Sequence, residues 1–135
     1  MNSTRTAFFV SDRTGITAEM LGHSLLTQFD GSRIKEVTVP FIDSVEKAHA
    51  FVKQINAAGL TDGIRPIVIS TLVNTEMAEI VATANALFLD SFGIFIKPLE
   101  NELGIKASHA IGRSHSTDDF VNYHHRMEAV NYALS

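Results

Sequence analysis

The residues best suited to chemistry come early in the chain. Ser11-Asp12-Arg13-Thr14-Gly15-Ile16-Thr17 gathers hydroxyls, a carboxylate, a guanidinium and a glycine in one short stretch. It follows the apolar run Ala7-Phe8-Phe9-Val10 and precedes a helical pattern. Ligands of open parallel sheets bind beyond the carboxyl ends of the strands, so this loop stands in the right place for one. Ser11, Thr14 and Thr17 offer hydroxyls to a phosphate, and Gly15 lets backbone come close to a ligand. The helix that follows presents free N–H groups and the positive end of its dipole, which favours an anion. Asp12 can orient a hydroxyl or a metal-bound water, and Arg13 can pair with phosphate. The same residue types also build a turn and a helix cap with no ligand at all. Spacing alone leaves both readings open.

Other chemistries find less support. The chain contains no G-x-x-x-x-G-K-[ST] and no G-x-G-x-x-G, so neither nucleotide fingerprint is present. It has no G-x-S-x-G elbow, which disfavours serine hydrolysis. The six histidines include no H-x-x-x-H pair, and adjacent His124 and His125 point about 100° apart on a helix. No metal site is expected. His115 stands apart, in the polar loop Gly112-Arg113-Ser114-His115 just before a helical pattern. There it can contact an anion or act as a general acid or base, or simply be an exposed loop residue. Arg126, on the last helical segment, can reach a phosphate or bridge a neighbouring acid.

Composition bounds the class. A chain of 135 residues fits one domain with a sizeable core. A formal net charge of −4 argues against a nucleic-acid partner. With no cysteine, disulfides and thiolate chemistry are impossible. No apolar run approaches the roughly 20 residues of a membrane span, and the start does not resemble a signal peptide. The expected location is the cytoplasm, with no membrane partner.

The elements that must position these residues alternate. Thr6–Val10, Ile34–Phe41 and Ile64–Leu72 read as strands, and Leu87–Asp90 as a short fourth. Thr17–Phe29 reads as a helix capped by Thr17, with Ala18, Leu21, Leu25 and Phe29 on its inner face. Asp43-Ser-Val-Glu46 is a capping-box pattern that opens a second helix, and Ala58-Gly59 should close it. Asn74 caps a third, with Met77, Ile80, Val81 and Ala84 inward. Ser91 to Leu103 reads as a fourth helix, kinked or restarted by Pro98 and closed by Gly104. A last helix is expected from about Thr117 to Leu134. The fold class expected is α/β: an open, mostly parallel sheet with helices on both faces, Rossmann-like or flavodoxin-like in three layers. The chain stops on Tyr132-Ala-Leu-Ser135 in mid-pattern, which leads us to expect a longer natural protein.

Taken together, FFVSDRTGITAE, TQF, VPFID, IRPIVISTL, the GRSH loop and YHHRMEAVNYAL resemble one family. It is the family of regulatory proteins of phosphoenolpyruvate synthase and of pyruvate, phosphate dikinase. The resemblance spans nearly the whole chain, and the synthase regulators are the nearer subgroup. It implies a bifunctional enzyme: ADP phosphorylates a threonine of the target, and inorganic phosphate removes that group, releasing pyrophosphate. ADP and phosphate are then substrates of the intact protein, and no cofactor is expected to be tightly bound to this chain. The implied partner is phosphoenolpyruvate synthase, with a homodimer as a further possibility. Family members are longer and carry a P-loop after the Y-x-x-R-x-E-A helix. The expectation is therefore a single amino-terminal α/β domain over residues 1–135, lacking that P-loop half and inactive alone. The match covers Ser11, Asp12, Thr14, Gly15, Thr17, Arg65, Pro66, Gly112, His115, Tyr123, Arg126 and Glu128, whereas Arg13 stands where the family varies. Asp12 and His115 are the candidate catalytic groups. Ser11, Thr14, Gly15, Thr17 and Arg126 are the candidate phosphate- or substrate-binding ones. The competing reading is a non-catalytic docking or dimerisation module, or a generic phosphate- or nucleotide-binding α/β domain.

Overall fold

The computed structural model describes residues 4–108. Strands and helices alternate without exception: β1 Arg5–Val10, α1 Ile16–Leu26, β2 Ile34–Val39, α2 Val45–Asp62, β3 Ile67–Ser70, α3 Thr75–Ala82, β4 Leu87–Asp90 and α4 Gly93–Leu103. The strands form one parallel sheet in the order β2-β1-β3-β4. This is the three-layer α/β arrangement expected, with the strand order of flavodoxin-like sheets.

Alternation along β1 divides the core. Ala7 and Phe9 join Ile69 and Ala18 beneath α1, with Leu21 and Leu26 at the margin. Phe8, Val10 and Val68 face the other way, against Phe51 and Ile55 of α2 and Met77 and Val81 of α3. Phe8 and Phe51 meet edge to face, centroids 5.4 Å apart. β1 is thus covered on both sides, as its unbroken apolar run predicts. Edge strand β4 is not. Leu87 and Leu89 align with Ile67 and Ile69 on the α1 face, yet stay 40% and 42% exposed.

The first helix departs from expectation. It begins at Ile16 after Gly15, not at a Thr17 cap, and ends at Leu26. Leu25 and Phe29 are exposed, whereas Ala18 and Gly22 form the buried seam. The cause is proximity: a Cβ on Gly22 would overlap the Phe9 ring. Where a helix lies this close to a sheet, small residues face inward and large ones are displaced.

Smaller shifts occur elsewhere. Ser44, not Asp43, caps α2, its Oγ accepting from Lys47 N–H at 3.2 Å. Asp43 instead accepts from the Lys47 ammonium at 2.8 Å, and this bond holds its carboxyl below the ordinary value. The pair's contribution is therefore present above the unfolded-state pKa of Asp43 and lost as pH falls through the lowered folded one. Solvent exposure of both side chains keeps it small. α2 runs past Gly59 to Asp62, and Gly63 closes it. β2 stops at Val39 before Pro40, and β3 is trimmed to Ile67–Ser70 with Pro66 just ahead. Asn74 caps α3 as expected, Oδ1 accepting from Met77 N–H at 3.0 Å. Pro98 sits inside an α4 that continues to Leu103, with Gly104 as its C-cap.

Candidate functional site

β1 lies between β2 and β3, so the connections leaving β1 and β3 run to opposite sides. Those connections therefore diverge beyond the paired strand ends and bound a crevice, the usual binding place in such sheets. The SDRTG loop is one wall of that crevice. The segment Thr71–Asn74 is the other, and Pro40–Asp43 closes the outer flank.

Ser11 and Asp12 are buried at 6% and 4% exposure. Ser11 Oγ accepts from Arg13 N–H at 2.9 Å and folds the loop into a tight turn. Ser70, at the end of β3, does the same for Leu72 N–H at 3.1 Å. The two central strands thus end in matching hydroxyl turns, and Val10 and Ser70 are cross-strand partners. Asp12 then spans the crevice, its Oδ2 accepting from Val73 N–H at 2.9 Å. Thr71 N–H donates to Val10 carbonyl at 3.0 Å beside it. On the outer flank, Phe41 N–H donates to Arg13 carbonyl at 2.8 Å and Ile42 N–H to Ser11 carbonyl at 2.9 Å. Backbone and carboxylate together fix the loop from two sides.

What this loop presents outward is the start of α1. Its cap residue Gly15 has φ 88° and no side chain, so no cap bond covers the first-turn N–H groups. Thr14 and Thr17 are exposed, and neither hydroxyl is bonded within the described residues. Glu19 in the first turn is occupied by Thr38, whose Oγ1 donates to it at 2.6 Å. Gly15 itself is buried: a Cβ there would lie 2.8 Å from Thr38 Cγ2. Glycine is thus required by the left-handed backbone and by Thr38, which sets the angle at which α1 leaves the crevice. Gly15→Ala should cost about 1–3 kcal/mol by combining left-handed strain with overpacking. Thermal unfolding of the variant measures this, and adding Thr38→Ser should recover only the packing part.

Beside Val73, a groove of about 390 Å³ opens between α3 and α4. Leu72, Phe88 and Ile96 give it apolar walls, and Glu79, Asp90 and Lys97 a polar rim. Asp90 is engaged, its Oδ1 accepting from Gly93 N–H at 2.8 Å at the start of α4.

The structure brings Ser11, Asp12, Thr14, Gly15 and Thr17 together at one end of the sheet. His115 and Arg126 lie outside the described residues, as do Gly112, Tyr123 and Glu128. Arg65 and Pro66 precede β3, at the opposite end of the sheet from the crevice. No cluster of three His, Asp or Glu placed to hold a metal occurs among the described residues. Nor is any helix among them long and apolar enough to cross a membrane. Sequence reasoning missed Val73, which acts through its backbone, and Ser70. It also missed Phe41, a non-glycine residue at φ 60°.

A flavodoxin-ordered parallel sheet with a tied, uncapped loop at its switch point defines a three-layer α/β domain. A sequence model of the kinase/pyrophosphorylase family matches residues 7–135. The chain belongs to that family. It is 53% identical over 131 residues to a protein of Azoarcus sp. (strain BH72), and 54% identical over 130 residues to one of Pseudomonas fluorescens (strain Pf0-1). A protein of Herminiimonas arsenicoxydans is 49% identical over 133 residues. All three are named as phosphoenolpyruvate synthase regulatory proteins. The alignments cover 97%, 96% and 98% of this chain and 47%, 48% and 47% of the respective relatives. The chain therefore spans about half the length of the curated relatives it matches.

Proposed function

We propose that this chain is the amino-terminal part of a bifunctional regulator of phosphoenolpyruvate synthase. In the forward direction a target threonine hydroxyl attacks the β-phosphorus of ADP, the bond to the α-phosphate oxygen breaks, and AMP leaves. In the reverse direction inorganic phosphate attacks the phosphothreonine phosphorus, restoring the hydroxyl and releasing pyrophosphate. Both directions move one phosphoryl group, so catalysis rests on holding anionic oxygens in place.

The observation that supports this most is the SDRTG loop at the switch point. Its buried half, Ser11 and Asp12, is immobilised by backbone partners. Its exposed half, Thr14, Thr17 and the first-turn amides of α1, is free to meet an anion. In this reading Ser11, Thr14, Gly15 and Thr17 shape a phosphate subsite, and Asp12 orients the attacking hydroxyl. His115 and Arg126 are its further candidate groups, and a P-loop in the other half of the longer protein holds the nucleotide. The intact protein works in the cytoplasm.

A second reading has its own support. One oxygen of Asp12 is already engaged by Val73 N–H. If that is its whole role, this domain docks the synthase or pairs two copies, and the other half performs the chemistry. Incubating the longer protein with the synthase and ADP labelled in the β-phosphate tests the function. Label on a synthase threonine, released as pyrophosphate when unlabelled phosphate is added, is the expected result. No transfer in either direction contradicts the proposal.

A further inference from the structure

Phe41 stands out from every other side chain at the carboxyl edge. Among the described residues it is the one non-glycine with positive φ, at 60°. A bulky residue rarely occupies that region, and such outliers persist only where the surroundings over-determine them. Here they do. Phe41 N–H and Ile42 N–H are both bound by carbonyls of the SDRTG loop, and Ile42 is buried. The fold would accept glycine or asparagine at 41 more readily. It holds instead a phenyl ring, and 51% of the residue faces solvent.

The ring has exposed company. Ile16 and Met20, one turn apart on α1, are each 63% exposed. Gly15 lies against Pro40, so the start of α1 and the Pro40-Phe41 turn are neighbours. Arg13 adjoins Phe41 through its backbone carbonyl and is exposed, with no side-chain hydrogen bond or ion pair among the described residues. The rim of the crevice thus carries an exposed ring beside an exposed guanidinium.

The geometry points to this rim as the surface that docks the target protein. Phe41 is the apolar anchor, and Arg13 faces the phosphate once the target residue carries one. The occupant follows from position and charge: a residue entering the SDRTG crevice must bring its flanking segment across this rim, and the lone guanidinium complements a phosphorylated segment. This rests on the function proposed above. It adds the residues that recognise the target, which that reading leaves open.

The test immobilises the full 135-residue chain and measures binding of phosphoenolpyruvate synthase, phosphorylated and unphosphorylated. Phe41→Gly and Phe41→Asn should weaken both forms on the order of tenfold or more, as loss of a central aromatic anchor does. Their Tm should be equal to or above that of the parent, because both residues tolerate the left-handed backbone. Phe41→Tyr should bind like the parent. Arg13→Ala should weaken the phosphorylated form selectively. If the Phe41 variants bind as the parent does, the docking assignment is overturned while the proposed function stands. If Arg13→Ala leaves the phosphorylated form unaffected, its phosphate role falls. If the parent chain binds neither form, this inference fails while the labelled-ADP experiment still decides the proposed function.

Discussion

Replacing Gly22 by valine should destabilise the domain by about 3 kcal/mol, at the upper end of the usual cost of overpacking. The Tm would fall on the order of 10 °C. By helix propensity alone the change is favourable, since glycine in a helix interior is worse than most residues. Packing opposes it. The first added carbon already overlaps Phe9, and Phe9 is fully buried on β1, a central strand. The ring or the helix must shift to admit it. Gly22→Ala should show the same sign with a smaller effect. A Phe9→Leu change should partly rescue it, so that the double variant is less damaged than the sum of the two. Additive losses would mean that the helix does not sit on that ring. Because α1 carries the SDRTG loop at its start, Gly22 variants should also disturb the crevice.

The second large effect concerns Asp12, and here two substitutions separate structure from chemistry. Asp12→Ala leaves Val73 N–H without its partner and should cost about 1–2 kcal/mol, part of the loss being recovered by water. Asp12→Asn keeps an acceptor oxygen at the same place, so the tie between the β1 and β3 loops survives and stability should change little. If the carboxylate also orients the attacking hydroxyl, Asp12→Asn in the longer protein should slow both phosphoryl transfers by roughly 100-fold or more. If both rates persist, Asp12 is a strut and the docking reading gains. Measuring Tm and both transfer rates on the same two variants decides between them.

These residues also show what the sequence carried. β1 was legible because its stretch Ala7–Val10, buried on both faces, is apolar throughout, and Asn74 because a cap acts locally on the residues just after it. The capping of α2 was legible only to within one residue, since Asp43 and Ser44 are both able caps and the winner depends on where Lys47 lies. The inner face of α1 was not legible. A search for large apolar side chains selects Leu25 and Phe29, whereas the seam is made of Ala18 and Gly22, and closeness of approach leaves no mark on periodicity. The Asp12–Val73 tie was hidden for another reason: 61 residues separate the two ends, and one of them is a backbone amide. Phe41 was hidden because phenylalanine gives no sign of a left-handed conformation. In each case the missing information is tertiary.

The claim on which the rest depends is that the exposed half of the SDRTG loop binds phosphate. Titrating inorganic phosphate into the isotope-labelled chain and following its backbone amide resonances tests it directly. Saturable shifts at millimolar phosphate, concentrated on Thr14 to Ala18 and abolished by Gly15→Ala in a variant that remains folded, are the predicted result. Amides of that segment that stay unmoved while the domain is folded would contradict it.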